Sequence, residues 1–184
     1  DYESRIEREE LVLIADIGGG TSDFSLVRLG PERTSRTDRR DDILATGGVH
    51  IGGTDFDKYL SLAAVMPLLG HGSALLSGAA VPSSYYFNLA TWHTINQAYT
   101  RKSIVQLADL VRDAAEPDKL KRLQRLIDER AGHWLAMRVE EAKIALSDTP
   151  EVDLDLDRLD PPALLRVGRD LFTASIGGMI DSVG

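Results

Sequence analysis

Asp16 and the glycines Gly18, Gly19 and Gly20 stand within five residues of one another, and their types fit one kind of chemistry. Backbone amides without side chains let an anionic oxygen come close, and a carboxylate where a strand ends can hold a metal-bound water. The apolar run Leu11-Val-Leu-Ile-Ala15 leads into Asp16, and an alternating stretch follows Thr21, with Phe24 and Leu26 set against Asp23 and Ser25. That pattern predicts strand, glycine turn, strand, and reads as half of a clamp for nucleotide phosphates. An ordinary hairpin turn accounts for the same run of glycines. A dinucleotide fingerprint would open a helix, and a P-loop would carry Lys-Ser/Thr after its last glycine; this chain does neither.

A second cluster, Gly47-Gly-Val-His-Ile-Gly-Gly-Thr-Asp55, precedes Phe56, Tyr59, Leu60, Ala63 and Ala64, which recur at helical spacing. A helix is therefore expected from Thr54 or Asp55, either of which can cap it. Glycines ahead of a helix N-terminus offer a seat for an anion, although a flexible loop and an N-cap read equally well. Much further along, Glu140, Lys143 and Ser147 fall at i, i+3 and i+7, one stripe of a helix. Taken alone, that stripe is a surface Glu–Lys pair.

These residues need elements to hold them. Strands are expected at 10–17, 22–30 and 41–47, an antiparallel meander joined by the glycine turn and by a charged loop at 31–40. The run Asp38-Arg-Arg-Asp-Asp42 mixes signs and reads as solvated. Pro67–Ser84, rich in Gly, Ser, Ala and Pro, reads as a loop leaving the first lobe. Helical patterns follow over Tyr85–Ala98, Ser103–Ala115 and a long stretch from Pro117 to Leu146, which Gly132 weakens locally and marks for a bend. Glu151–Asp157 alternates strictly and predicts a strand with acid on one face. Pro161-Pro162 turns the chain into a return strand at Ala163–Val167, and Arg169–Val183 closes with a helix. His50, His71, His93 and His133 lack metal-ligand spacing. Trp92-His93 and His133-Trp134 read as edges of the core. Asp153, Asp155 and Asp157 fan along one strand face rather than wrapping an ion.

The 184 residues carry a net charge of −8, which argues against nucleic acid as a principal partner. No cysteine is present, so disulfides and thiolate chemistry are excluded. No apolar run reaches the roughly 18 residues of a membrane span. The balance fits a cytoplasmic protein, and the start at Asp1 fits a piece of something longer.

Three segments, in order, resemble the DnaK-type heat-shock chaperones of the actin/hexokinase ATPase superfamily. Leu13-Ile-Ala-Asp-Ile-Gly-Gly-Gly-Thr-Ser-Asp-Phe-Ser25 is similar to that family's second phosphate-binding motif. Gly48-Val-His-Ile-Gly-Gly-Thr-Asp-Phe-Asp57 is similar to the segment that follows it, and Val139-Glu-Glu-Ala-Lys-Ile-Ala-Leu-Ser147 to the helix used against adenosine. Val167-Gly-Arg-Asp-Leu-Phe172 is a fainter echo, and 61–134 match poorly. The resemblance implies an α/β fold: a ribonuclease-H-like meander from the second lobe of an actin-like ATPase domain over 1–66, and a helix-rich cap over 67–184. It implies ATP or ADP with magnesium as ligands. Gly18, Gly19, Gly20 and Thr21 would meet the phosphates, Asp16 would hold a magnesium-bound or attacking water, and Asp23 would sit at the ion site. Gly53 would lie near the nucleotide, with Glu140, Lys143 and Ser147 at ribose and base. A carboxylate can accept from ribose hydroxyls, a lysine stem can lie along a base, and a hydroxyl can reach a purine nitrogen.

Departures from the family pattern are Ile144 for a customary adenine-stacking arginine, Thr54 for a glutamate and Glu141 for a basic residue. The partners implied are ATP, the remainder of a parent chain carrying the first lobe, and unfolded polypeptides or co-chaperones. A nucleotide-binding module without hydrolysis, a sugar or acetate kinase, and an actin-like filament former stay open as alternatives.

Overall fold

The structure, a computed structural model, describes residues 2–181 and is a mixed α/β arrangement of small antiparallel sheets and several helices. It forms two compact units, the chain passing from one to the other between Gly53 and Thr54.

The first unit is built on β1 (Glu10–Ile17), β2 (Ser22–Leu29) and β3 (Ile43–Val49), an antiparallel sheet in that order. Ile17 faces Ser22 and Asp16 faces Asp23 across β1 and β2, while Asp23 faces Gly48 across β2 and β3. The third strand starts later than the sequence pattern predicts because Arg40–Asp42 is drawn into a 3-10 turn. The loop expected to be solvated is instead tied down by ion pairs. Asp42 is buried, accepts from Arg39 Nε at 2.8 Å and also pairs with Arg33. Arg39 forks onto both oxygens of Glu3 at 2.7 Å each, and Arg33 Nε donates to Glu9 at 2.9 Å. Mixed signs so close together can satisfy one another, and that lets this carboxylate leave water.

Leu11, Leu13, Ile14 and Ile17 of β1 and Ile43 and Leu44 of β3 are exposed. Successive strand residues point to opposite faces, so Leu13 and Ile14 put apolar surface on both sides of β1. A run of that kind suits a strand covered on both faces.

The second unit holds the main core. Helix α1 (Gly53–Leu60) widens into a π turn over Ser61–Val65, tightens over Met66–Leu69 and stops at Gly70, whose φ of 98° suits glycine. Residues beyond it are not the open loop that composition predicts. Leu69 and Val81 are buried, Ser73 Oγ donates to the Gly70 carbonyl at 2.7 Å, and Ala74 bridges to Ala80. The helix expected over 85–98 is α2 (Ser84–Ala90) followed, after an extended Thr91, by 3-10 turns over Trp92–Tyr99. Thr94 Oγ1 donates to the carbonyls of Asn88 and Thr91, a side-chain bond that competes with the helical ladder there. Helix α3 (Arg101–Asp113) is capped by Thr100, whose side chain accepts from Ser103 N.

The single long helix predicted from Pro117 is two, α4 (Pro117–Asp128) and α5 (Gly132–Asp148). Arg130 between them has a φ of 51°, which no continuous helix allows. Gly132 begins α5 instead of bending a helix, and its amide donates to Tyr99 Oη at 2.8 Å. Leu120, Leu123, Leu126 and Ile127 of α4 pack with Leu135, Val139, Ala142 and Leu146 of α5 in one buried cluster. Strands β4 (Glu151–Leu156) and β5 (Ala163–Gly168) form a hairpin that adds Leu154, Leu156 and Val167 to it. Their outer face carries Asp153, paired with Arg166 at 2.9 Å, as expected of a solvated row. The last helix, α6 (Arg169–Ile180), ends before 183; the predicted positions 182 and 183 lie outside the described residues.

Candidate functional site

In the first unit the turn after β1 is closed by the Gly18 amide donating to the Thr21 carbonyl at 2.8 Å. The second glycine cluster returns onto this turn. The Gly53 amide donates to the Gly18 carbonyl at 3.0 Å, and Ser22 Oγ donates to the Ile51 carbonyl at 2.8 Å. A Cβ on Gly52 would stand 2.5 Å from Gly19 C and O and from Gly20 N, so only glycine fits. A Cβ on Gly20 would meet nothing within 4 Å, so that backbone faces open space. Glycine at 52 is thus required for close approach, whereas glycine at 20 leaves a bare backbone available to something outside.

Asp16 and Asp23, direct partners across β1 and β2, are both exposed. Directly opposed like charges destabilise a strand pair, and a cation between them removes that penalty. Thr21 Oγ1 donates to Asp23 Oδ2 at 3.2 Å. Among the described residues no group of three or more His, Cys, Asp or Glu is placed to hold a metal unaided. Two carboxylates and several water ligands are the ordinary way magnesium is held, so these residues fit that ion.

In the second unit α5 runs unbroken through Glu140, Lys143 and Ser147, so the three lie on one stripe. Glu140 and Ser147 are exposed. Lys143 is not: its side chain is 17% exposed, and its Nζ lies 2.7 Å from Oδ1 of Asp57, itself 18% exposed, on α1. Burial pushes the Asp57 carboxyl above its usual range, the Lys143 ammonium pulls it back, and Glu140 adds a smaller upward push. At the other end of the stripe, Arg169 donates to the carbonyls of Leu146, Ser147 and Thr149. Thr54, Asp57, Ala90, Trp92, Ala136 and Glu140 line a mainly apolar cavity of about 240 Å³. Trp92, read from sequence as a core edge, is half exposed there and stands edge-on to His133, ring centres 5.0 Å apart.

Sequence reasoning assigned no role to Asp57 or Arg169. Both lie in segments already singled out, Asp57 one turn into the helix after the second glycine cluster and Arg169 where the last helix starts. Nothing in their local spacing says which distant residue each will meet.

No family model matches the chain. It is similar to the chaperone protein dnaK1 of Synechocystis sp., 46% identical over 53 residues, which are 28% of this chain and 7% of that protein. The matched stretch therefore spans a small part of that relative, and the likeness supports a relationship of heat-shock-chaperone type at that level. Among the described residues no helix is long and apolar enough to cross a membrane.

Proposed function

We propose that this chain is part of the second lobe of the ATP-binding domain of a heat-shock-type chaperone, which in the intact protein binds ATP or ADP with magnesium and hydrolyses ATP. The observation that carries this reading is the seating of Gly52 on the Gly19–Gly20 backbone. It gives the turn beside Asp16 a second glycine cluster for support, while the outer side of Gly20 is left bare. In this reading the turn meets phosphate oxygens at Gly19 and Gly20, while Gly18 and Thr21, expected from the sequence as phosphate contacts, spend the Gly18 amide and the Thr21 hydroxyl inside the turn, on the Thr21 carbonyl and on Asp23, and hold its shape. Asp16 and Asp23 hold the waters of a magnesium ion, which supplies charge neutralisation when bound. Glu140, Lys143 and Ser147 of α5 take the nucleoside, with Gly53 next to the phosphate turn. The apolar surface on both faces of β1 supports the further view that the remainder of the lobe covers this sheet.

The test is Asp16→Asn in the intact protein. Hydrolysis should fall at least about tenfold, roughly 1.4 kcal/mol of barrier. A single-turnover rate equal to wild type would remove Asp16 from the chemistry. One observation favours a second reading, binding without turnover: Ile144, where the resembling family stacks an arginine, is 59% exposed and offers no cation. Retention of nucleotide without magnesium-dependent phosphate release would select that reading.

A further inference from the structure

Lys143 is the one cation on the α5 stripe read as the nucleoside contact, yet its charge is turned inward to Asp57 at 2.7 Å. Both side chains are less than one-fifth exposed, so drawing the ammonium out to an anion would leave a largely buried carboxylate without its counter-ion. Glu140, one turn earlier on the same helix, adds a second negative charge that Asp57 feels. Lys58, next to Asp57 on α1, is turned towards the rings of Tyr59 and Phe87, 5.7 and 5.8 Å from their centres. Arg138 on α5 is paired with Glu141 at 2.8 Å. Asp57, Glu140 and Lys143 together carry one net negative charge.

We propose that Asp57 is a positioning residue that sets ligand selectivity. By holding the Lys143 ammonium it makes α5 present the lysine's aliphatic stem, so the stripe accepts the neutral nucleoside end of a ligand and repels its phosphates. This rests on the nucleotide reading above and adds to it the residue that decides which end of the nucleotide α5 receives.

The experiment uses the intact protein and two probes, adenosine and inorganic tripolyphosphate, with wild type, Asp57→Asn and the double variant Asp57→Asn/Lys143→Gln. Releasing the ammonium from Asp57 should tighten tripolyphosphate binding by about threefold in Asp57→Asn, more at low salt, as expected for one partly screened charge. The gain should vanish in the double variant, and Asp57→Glu should also lack it, while adenosine affinity does not improve. Tripolyphosphate binding that is the same in wild type and Asp57→Asn overturns the proposal.

A second measurement needs no nucleotide: acetylation of individual lysines followed by mass spectrometry. Wild-type Lys143 should react more slowly than Lys121, and Asp57→Asn should accelerate Lys143 alone. Equal rates for Lys143 and Lys121 in wild type overturn the proposal even if the variant does not fold. Accelerated Lys143 acetylation in a protein that binds neither probe refutes the nucleotide reading and the ligand half of this proposal, leaving Asp57 with a purely structural hold on Lys143.

Discussion

Arg169 Nε lies 2.7 Å from the carbonyl oxygen of Leu146, and the same guanidinium reaches the carbonyls of Ser147 at 3.2 Å and Thr149 at 2.9 Å. The last carbonyls of a helix have no partner within it, and a cation there also meets the negative end of the helix dipole. The first residue of α6 therefore closes α5 just where Ser147 stands.

Arg169→Ala should cost about 2 kcal/mol, since hydrogen bonds from a charged donor contribute roughly 1.5–3 kcal/mol and the exposed members contribute least. Urea unfolding of the second unit, followed by the fluorescence of Trp92 and Trp134, measures it. Arg169→Lys should recover only part, because an ammonium cannot span three carbonyls as a planar fork does. A loss below about 0.5 kcal/mol, the size of an ordinary surface substitution, would mean that α5 needs no such cap.

Gly132 gives a prediction whose sign runs against the usual expectation. Replacing glycine by alanine at a site with compatible backbone commonly stabilises a protein by about 0.4–1 kcal/mol. Here the new Cβ would stand 2.6 Å from Tyr99 Oη, 2.7 Å from Ile95 Cγ2 and 3.0 Å from Leu89 Cδ2. Ile95 and Leu89 are fully buried and cannot swing away. Gly132→Ala should therefore destabilise the second unit by about 1–3 kcal/mol, as overpacking does. A rise in the unfolding midpoint would contradict the packing described.

What the sequence disclosed and what it withheld follow from the range of the interactions involved. The β1–β2 hairpin was legible because alternation and a glycine turn are local, and so were the α5 stripe and the β4–β5 hairpin. The break at Arg130 was not, since the leucines of α4 and α5 keep helical spacing across it and the reason for Gly132 lies in Tyr99, Ile95 and Leu89. The buried Asp42 was missed for a similar reason: charge alternation at 38–42 looks solvated until Glu3 and Glu9 arrive from another part of the chain. Lys143 was legible as a stripe residue, but its partner Asp57 comes from α1, far away in sequence. Likeness of type is local, whereas partnership is not.

Gly52 is packed and Gly20 is open, and two substitutions separate packing from the proposed ligand contact. Gly52→Ala would force the turn backbone at Gly19 and Gly20 to move, which no side-chain adjustment can absorb, and should destabilise the first unit by more than about 1 kcal/mol. Gly20→Ala meets nothing within 4 Å and should leave unfolding within about 0.5 kcal/mol of wild type. On the proposed nucleotide reading, the same Gly20→Ala should weaken ATP binding by the intact protein, because the methyl group would occupy the bare side of the turn. Unchanged ATP affinity in Gly20→Ala would count against Gly20 as a phosphate contact without touching the fold.

Acid should act with opposite signs through Asp42 in the first unit and Asp57 in the second. In the first unit Arg39 is the leading cause that holds the carboxyls of Glu3 and Asp42 below their ordinary range, with the Gly30 amide and Arg33 respectively adding to it and burial opposing. A carboxyl lowered on folding contributes stability that is complete above its unfolded pKa, about 4, and disappears as pH falls through the folded value. In the second unit burial raises Asp57, so its contribution is greatest below about 4 and declines as pH rises to its folded value. Hydrogen exchange of the β2 and β3 amides, followed below pH 5, reads the first unit, and tryptophan fluorescence reads the second. Asp42→Asn should flatten the acid loss of protection in β2 and β3 and leave the tryptophan transition alone. Asp57→Asn should do the reverse, removing the decline on the alkaline side of pH 4. An acid loss in β2 and β3 that survives Asp42→Asn unchanged would show that the Arg33–Arg39 cluster does not govern the stability of that sheet.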